Sequence, residues 1–172
     1  DRIAEICQEA DIQEWTVIPR GYQRSDAQIF VDEIVVKGWS EGSALTWAVR
    51  EAGADGSSAT LVGMLSVTLS GPEGNRTGEV GYWLTGAARG RGTMTRAVAS
   101  LIDTVFDPDG PLNLSALRWR CDIHDSGRGL VPNWASWKVA WSLGFQREGR
   151  VRRFLLNDGA LHDGWIATLL PD

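Results

Sequence analysis

The stretch from Val80 to Phe106 constrains this chain more than any other. A strand-like run ends at Leu84 and is followed by Thr85-Gly86, then by Ala87-Ala88-Arg89-Gly90-Arg91-Gly92-Thr93. Beyond it Met94, Ala97, Val98, Leu101, Ile102 and Val105 recur at i, i+3, i+4, i+7, i+8 and i+11, which marks one buried helix face. The chain therefore passes from strand to helix through two glycines flanked by arginines. A helix start offers unpaired N–H groups and the positive end of the helix dipole. Glycine lets an anion approach that backbone without Cβ interference, so the loop predicts a diphosphate site. Arg89 and Arg91 add positive charge in a chain whose net charge is -5. Two other phosphate motifs are excluded by their residues. No lysine follows the glycines as a P-loop demands, and Thr95 stands where a dinucleotide fingerprint has its third glycine.

The rest of the chain reads as a mixed α/β pattern. Ile3 to Trp15 predicts a helix, and Ser25-Asp26 an N-cap for a second helix through Val36, with Ile29, Phe30, Val31 and Ile34 as its apolar positions. Strands are expected at Ala44 to Glu51, Ala59 to Leu69 and Thr77 to Leu84, with turns at Gly53 to Ser58 and Gly71-Pro72-Glu73-Gly74-Asn75. After the central helix come a strand at Leu117 to Ile123 and a helix at Asn133 to Leu143, closed by Gly144. Phe145 to Leu156 and Leu161 to Leu169 form a hairpin around Asn157-Asp158-Gly159. The order is α-α-β-β-β-α-β-α-β-β.

Length and charge narrow the class. A chain of 172 residues suggests a single domain, 1–172, with sequence expected to precede Asp1 because a leading strand is not visible. The acidic balance argues against a nucleic-acid partner. No run approaches the roughly 18 apolar residues of a membrane span, and no signal peptide is visible. Cys7 and Cys121 lie far apart without metal-ligand spacing, and two free thiols fit the cytoplasm. His124 beside Asp125 and His162 beside Asp163 bring no nucleophile elbow, so neither a triad nor a metal is expected. Arg147, Arg150, Arg152 and Arg153 read as a solvated face or as an arm toward a coenzyme phosphate.

Two blocks in order carry a family resemblance. Glu79-Val80-Gly81-Tyr82-Trp83-Leu84 with Arg89-Gly90-Arg91-Gly92-Thr93-Met94-Thr95-Arg96-Ala97 resembles the central motif of GNAT acetyltransferases. Asn133-Trp134-Ala135-Ser136, with Gly144-Phe145 and Glu148-Gly149, resembles their later segment. With the ending Asp163 to Leu170, the chain looks most like the ribosomal-protein alanine N-acetyltransferase (Rim-type) group. The resemblance implies an acyl-CoA N-acyltransferase fold, a central twisted mixed sheet flanked by helices. It implies acetyl-CoA as co-substrate, no metal, an amine acceptor and a monomer or homodimer. The acceptor would be a protein N-terminus; a small-molecule amine (an antibiotic or polyamine) is the alternative, as is a non-catalytic acyl-CoA-binding sensor domain.

By the same resemblance, the coenzyme would lie on Trp83, Leu84, Thr85, Arg89, Gly90, Arg91, Gly92, Thr93, Met94 and Asn133. A backbone N–H exposed at a strand bulge near Trp83 or Leu84 would hold the thioester oxygen. Glu79, on the strand face of Trp83, would be the base acting through water, or else is a solvated carboxylate. Ser136 would protonate the leaving thiolate, because Ala140 stands where many relatives have a tyrosine; otherwise it caps the first turn of its helix. Asn133 would bond the coenzyme or serve as a plain N-cap. Ala87, where the family often has Gln or Arg, and the long link from Asp125 to Pro132 depart from the pattern. The acceptor groove is expected near Trp15, Trp39, Trp134 and Trp137.

Overall fold

The computed structural model describes residues 1–53, 58–72, 74–127, 129–157 and 159–171. Most of the turn expected at Gly53 to Ser58, Glu73 of the next turn and Asp158 of the last hairpin lie outside the described residues.

Among the described residues, seven strands form one sheet. They are β1 (Ala44–Glu51), β2 (Thr60–Ser70), β3 (Thr77–Leu84), β4 (Ala116–Asp125), β5 (Leu130–Pro132), β6 (Gln146–Asn157) and β7 (Ala160–Leu169). The order is β1-β2-β3-β4-β7-β6, with short β5 paired to β4. Strand β5 arises inside the long link, where the sequence predicts no element. One contact is parallel: β3 meets β4 at Thr77–Ala116, Gly78–Leu117 and Glu79–Arg118, and the two strands then part. Beyond that point β3 stays paired to β2 through Leu84 without a register shift. The bulge expected near Trp83 is therefore absent, and the parting from β4 is what exposes that strand's edge.

Helix α5 (Thr93–Phe106) buries Met94, Val98, Leu101 and Val105, as its period predicts. Each such side chain contributes about 1.5–3 kcal/mol by leaving water. With α6 (Trp134–Ser142) it covers the face carrying Val80, Leu84, Trp119 and Cys121, which are all buried in the main core. Gly144, at φ 88, ends α6, and the N–H of Phe145 closes back on Ala140 O at 3.2 Å.

The opposite face meets the N-terminal helices, where three expectations change. The first helix is broken into α1 (Arg2–Cys7) and α2 (Ala10–Trp15). The chain is extended at Glu9, which aims its carboxylate at Thr85 and Gly86. The second helix starts after Gln23, not at Ser25, because the Asp26 carboxylate accepts the Gln23 N–H at 2.7 Å. It runs from α3 (Arg24–Ile29) through a π-helical segment (Phe30–Val35) into α4 (Val36–Glu41). Its expected apolar face is not core: Ile29, Val31 and Ile34 are exposed. The helix settles instead through small residues, Ala27 and Gly38. A Cβ at Gly38 would stand 2.4 Å from the Ala44 carbonyl oxygen, so the close approach needs glycine.

Candidate functional site

After leaving β4, β3 runs on to Leu84 and the chain passes through the loop that starts α5. Gly90 and Gly92 have φ of 77° and 71°, a region that other residues enter at a cost. Gly92 is the N-cap of α5, and no side chain caps that helix among the described residues. The first-turn N–H groups therefore point outward as an anion cradle. Arg91 Nη2 donates to Glu51 at 2.9 Å and to Ala87 O at 3.1 Å, while Thr93 donates to the same carboxylate at 3.1 Å. Arg89 bonds Asp11 and donates to Leu84 O at 2.9 Å. Met94 faces the core.

The strand edge is partly occupied. Thr85 N–H donates to Val62 O at 2.8 Å, on the β2 side. By strand alternation the Leu84 N–H points the other way, into the gap beside β4. Thr85 Oγ1 and the Gly86 N–H are held by Glu9. The ring of Trp83 packs on the opposite sheet face, with Ala4, Cys7, Tyr22 and Ala27.

Residues 1–146 match the model of the acetyltransferase (GNAT) domain. The chain belongs to the GNAT acetyltransferase family. Its structure is similar to ribosomal-protein-S5-alanine acetyltransferase from Vibrio fischeri, with TM-score 0.76 and 23% identity, over 99% of this chain and 86% of that one. Mycobacterium smegmatis RimJ in complex with CoA-disulfide gives 0.74 and 20%, over 98% and 74%. The microcin C7 self-immunity acetyltransferase MccE, in complex with acetyl-CoA and AMP, gives 0.72 and 19%, over 93% and 79%. At such identities the likeness establishes the fold. No curated protein sequence matches the chain.

In this GNAT chain Ser136 lies on the α5/α6 side of the gap, inside a hydrogen-bonded cluster. Its Oγ donates to Tyr82 OH at 3.0 Å and accepts from Trp119 Nε1 at 3.0 Å. Tyr82 OH in turn donates to the Ser136 carbonyl at 3.0 Å. Tyr82 is not among the residues that the sequence marks, where the family's position for a phenol is Ala140 on α6. It comes instead from β3, and its even spacing from Val80 and Leu84 is the signal the chain offers. Burial pushes its phenol up to about 12, against the pull of the Ser136 and Trp119 hydrogen bonds, so it stays protonated at neutral pH. Asn133 Oδ1 accepts the Ser136 N–H at 3.0 Å, which is the N-cap arrangement.

Glu79 is on the other face. Its carboxylate is 2.7 Å from Arg120 Nε, at the closed end where β3 and β4 still pair. That same face of β4 carries Asp122 and His124. Asp122 Oδ2 meets His162 Nδ1 at 2.9 Å, Asn157 Nδ2 at 3.1 Å and His124 Nε2 at 3.2 Å. The sequence assigns neither histidine a role. The i, i+2 pair Asp122 and His124 is visible in it; the approach of His162 is not.

The tryptophans do not share one groove. Trp15 stacks on His124, Trp39 meets Trp47, and Trp134 and Trp137 gather around Trp165. The arginine run lies on the outer strand β6, separated from β3 by β7 and β4. Arg150 pairs with Asp163 there, and Arg147 covers Trp165 at 4.4 Å. No helix of the described residues is long and apolar enough to cross a membrane.

Both cysteines are buried. Burial pushes the Cys121 thiol up to about 12; burial, then the Glu9 charge, pushes Cys7 to about 11. We expect iodoacetamide at about pH 8 to alkylate neither thiol in the folded protein and both after denaturation, because the thiolate is the reactive form. Mass spectrometry reads the result. Rapid native labelling of Cys121 would show that its cover opens.

Proposed function

We propose that the chain transfers the acetyl group of acetyl-CoA to a primary amine, and that the acceptor is a protein or peptide N-terminus. One observation carries the reading: the uncapped Gly90–Gly92 turn at the start of α5 follows the free end of β3, the part that runs on to Leu84 after β3 has left β4. A diphosphate on the turn would send its pantetheine arm along Leu84 and Thr85 into the gap. There Arg91 exchanges Glu51 for phosphate, and the unbonded Leu84 N–H faces the thioester oxygen. The Asn133 side-chain amide is left for the coenzyme while its oxygen caps α6.

The amine nitrogen attacks the thioester carbon, the C–S bond breaks, the nitrogen loses a proton and the sulfur gains one. The Leu84 N–H stabilises the oxyanion formed on the way. Ser136 is the proton donor to sulfur, with Tyr82 behind it as a protonated reserve. Glu79 is the base on the acceptor face. About 13 Å of strand separates it from Trp83, so it would draw the amine proton through a chain of several waters. A single domain working in the cytosol accords with two free thiols. A protein acceptor is favoured by the resemblance to the Vibrio fischeri enzyme, which is described as acting on a ribosomal-protein alanine.

The test is thiol release from acetyl-CoA with two acceptor pools. One holds peptides beginning with Ala, Ser or Met; the other holds aminoglycosides and polyamines. We expect release with the peptides. Release with the small amines alone overturns the acceptor but keeps the reaction. Calorimetric binding without release from either pool marks a sensor, and loss of binding removes the coenzyme reading altogether.

A further inference from the structure

Asp122 is 4% exposed, and three nitrogens crowd one of its oxygens. Oδ2 lies 2.9 Å from His162 Nδ1, 3.1 Å from Asn157 Nδ2 and 3.2 Å from His124 Nε2. The other oxygen accepts the Ile123 N–H at 2.8 Å, which fixes the carboxylate's orientation. A carboxylate oxygen offers about two lone-pair sites. With a proton on each facing imidazole nitrogen, Oδ2 would have three N–H donors, one more than it can serve well.

A cation between these groups removes the surplus. It would take one lone pair of Oδ2 and one from each imidazole, leaving the second Oδ2 site to Asn157. The spacing suits this. Ligand atoms around tetrahedral zinc, at bonds of about 2.0–2.1 Å, sit roughly 3.3 Å apart. The two oxygen–nitrogen edges measure 2.9 and 3.2 Å, and all three ligand atoms lie within 4.8 Å of one another.

The surroundings hold the ligands in place. His124 Nδ1 is 3.4 Å from Glu14 Oε1. A carboxylate on the far nitrogen of an imidazole fixes the tautomer that turns its other lone pair to a metal. Trp15 stacks on His124 at 4.1 Å and 4°, which fixes the ring plane. The β4–β7 register, with Ile123 opposite Asp163, sets His162 beside His124.

We propose that Asp122, His124 and His162 bind a divalent ion of the zinc class, with three protein ligands and a fourth position open to solvent or ligand. The ion would tie β4 to β7 and, through Glu14 and Trp15, to α2. The site stands on the sheet face of Trp83, because Glu79 pairs with Arg118 and alternation along each strand from there puts Trp83 and Asp122 on one face. That is the face on which Glu79 lies.

The experiment uses the full chain, free of purification tags and stripped by chelator. Zinc is titrated against a chromophoric chelator, and cobalt is followed by its visible absorption. We expect one equivalent to bind and cobalt to show the intense bands of a four-coordinate site. His124→Ala and His162→Ala should each weaken zinc at least 100-fold. Glu14→Gln, which leaves the three ligands intact, should weaken it about 10–100-fold. A plain hydrogen-bond network predicts no such loss. Should a histidine variant fail to fold, X-ray absorption of the zinc-loaded wild type still reads two imidazole nitrogens per metal. Zinc bound as tightly by the double histidine variant, no binding by the wild type, or a metal shell without imidazoles overturns the assignment.

Discussion

Ser136→Ala is expected to lower kcat by about 10²–10⁴-fold, the range for loss of a positioned proton donor, with little change in the KM for acetyl-CoA. The hydroxyl is 3.0 Å from the Tyr82 phenol and 3.0 Å from the Trp119 indole nitrogen, so it is held in one orientation at the gap. Its backbone N–H, which Asn133 caps, is untouched by the change, so α6 keeps its first turn. Steady-state kinetics with saturating acceptor give the answer. An unchanged kcat would leave Ser136 as packing and move the donor role to Tyr82, whose Phe variant is the natural comparison. A raised KM with unchanged kcat would mean that the serine binds coenzyme instead.

Trp119→Ala should cost about 3–5 kcal/mol of stability, the range for removing a large buried aromatic. The side chain is 1% exposed, packs on Trp137 at 5.3 Å between centroids, and satisfies its N–H on Ser136 and Tyr82. Its loss leaves both a cavity and a hydroxyl pair without its donor. For a domain of this size, each kcal/mol moves Tm by about 2–4 °C, so a fall on the order of 6–20 °C is expected. Denaturant titration of both proteins checks it. Trp141→Ala, at a side chain 66% exposed, should stay within about 0.5 kcal/mol and serves as the control. Equal losses at the two positions would mean that Trp119 is not the centre of this core.

These two expectations rest on different kinds of knowledge. Ser136 is marked in the chain itself, by the Asn-x-x-Ser segment. Trp119 is one of nine tryptophans, with nothing in the chain to set it apart from exposed Trp141. Helix α5 and the run of β3 are legible because a helix repeats within four residues and a strand within two. The turn at Gly90 and Gly92 is legible because positive φ favours glycine. The N-terminal helices are less so. The break at Glu9 answers to Thr85 and Gly86, and the bare apolar face after Arg24 follows from how Ala27 and Gly38 seat the helix.

By itself the sequence determined the succession of the long strands and of helices α5 and α6, the glycine turn between β3 and α5, and the family, all carried by residues close together along the chain. Tertiary structure alone decided the parting of β3 from β4, the phenol of Tyr82 beside Ser136, the Glu79–Arg120 pair and the gathering of His124 and His162 on Asp122. The reason is physical. Side-chain neighbours across a sheet are set by strand order and register, and His162 reaches Asp122 over a separation of 40 residues. A one-residue slip in that register would turn His162 to the other face.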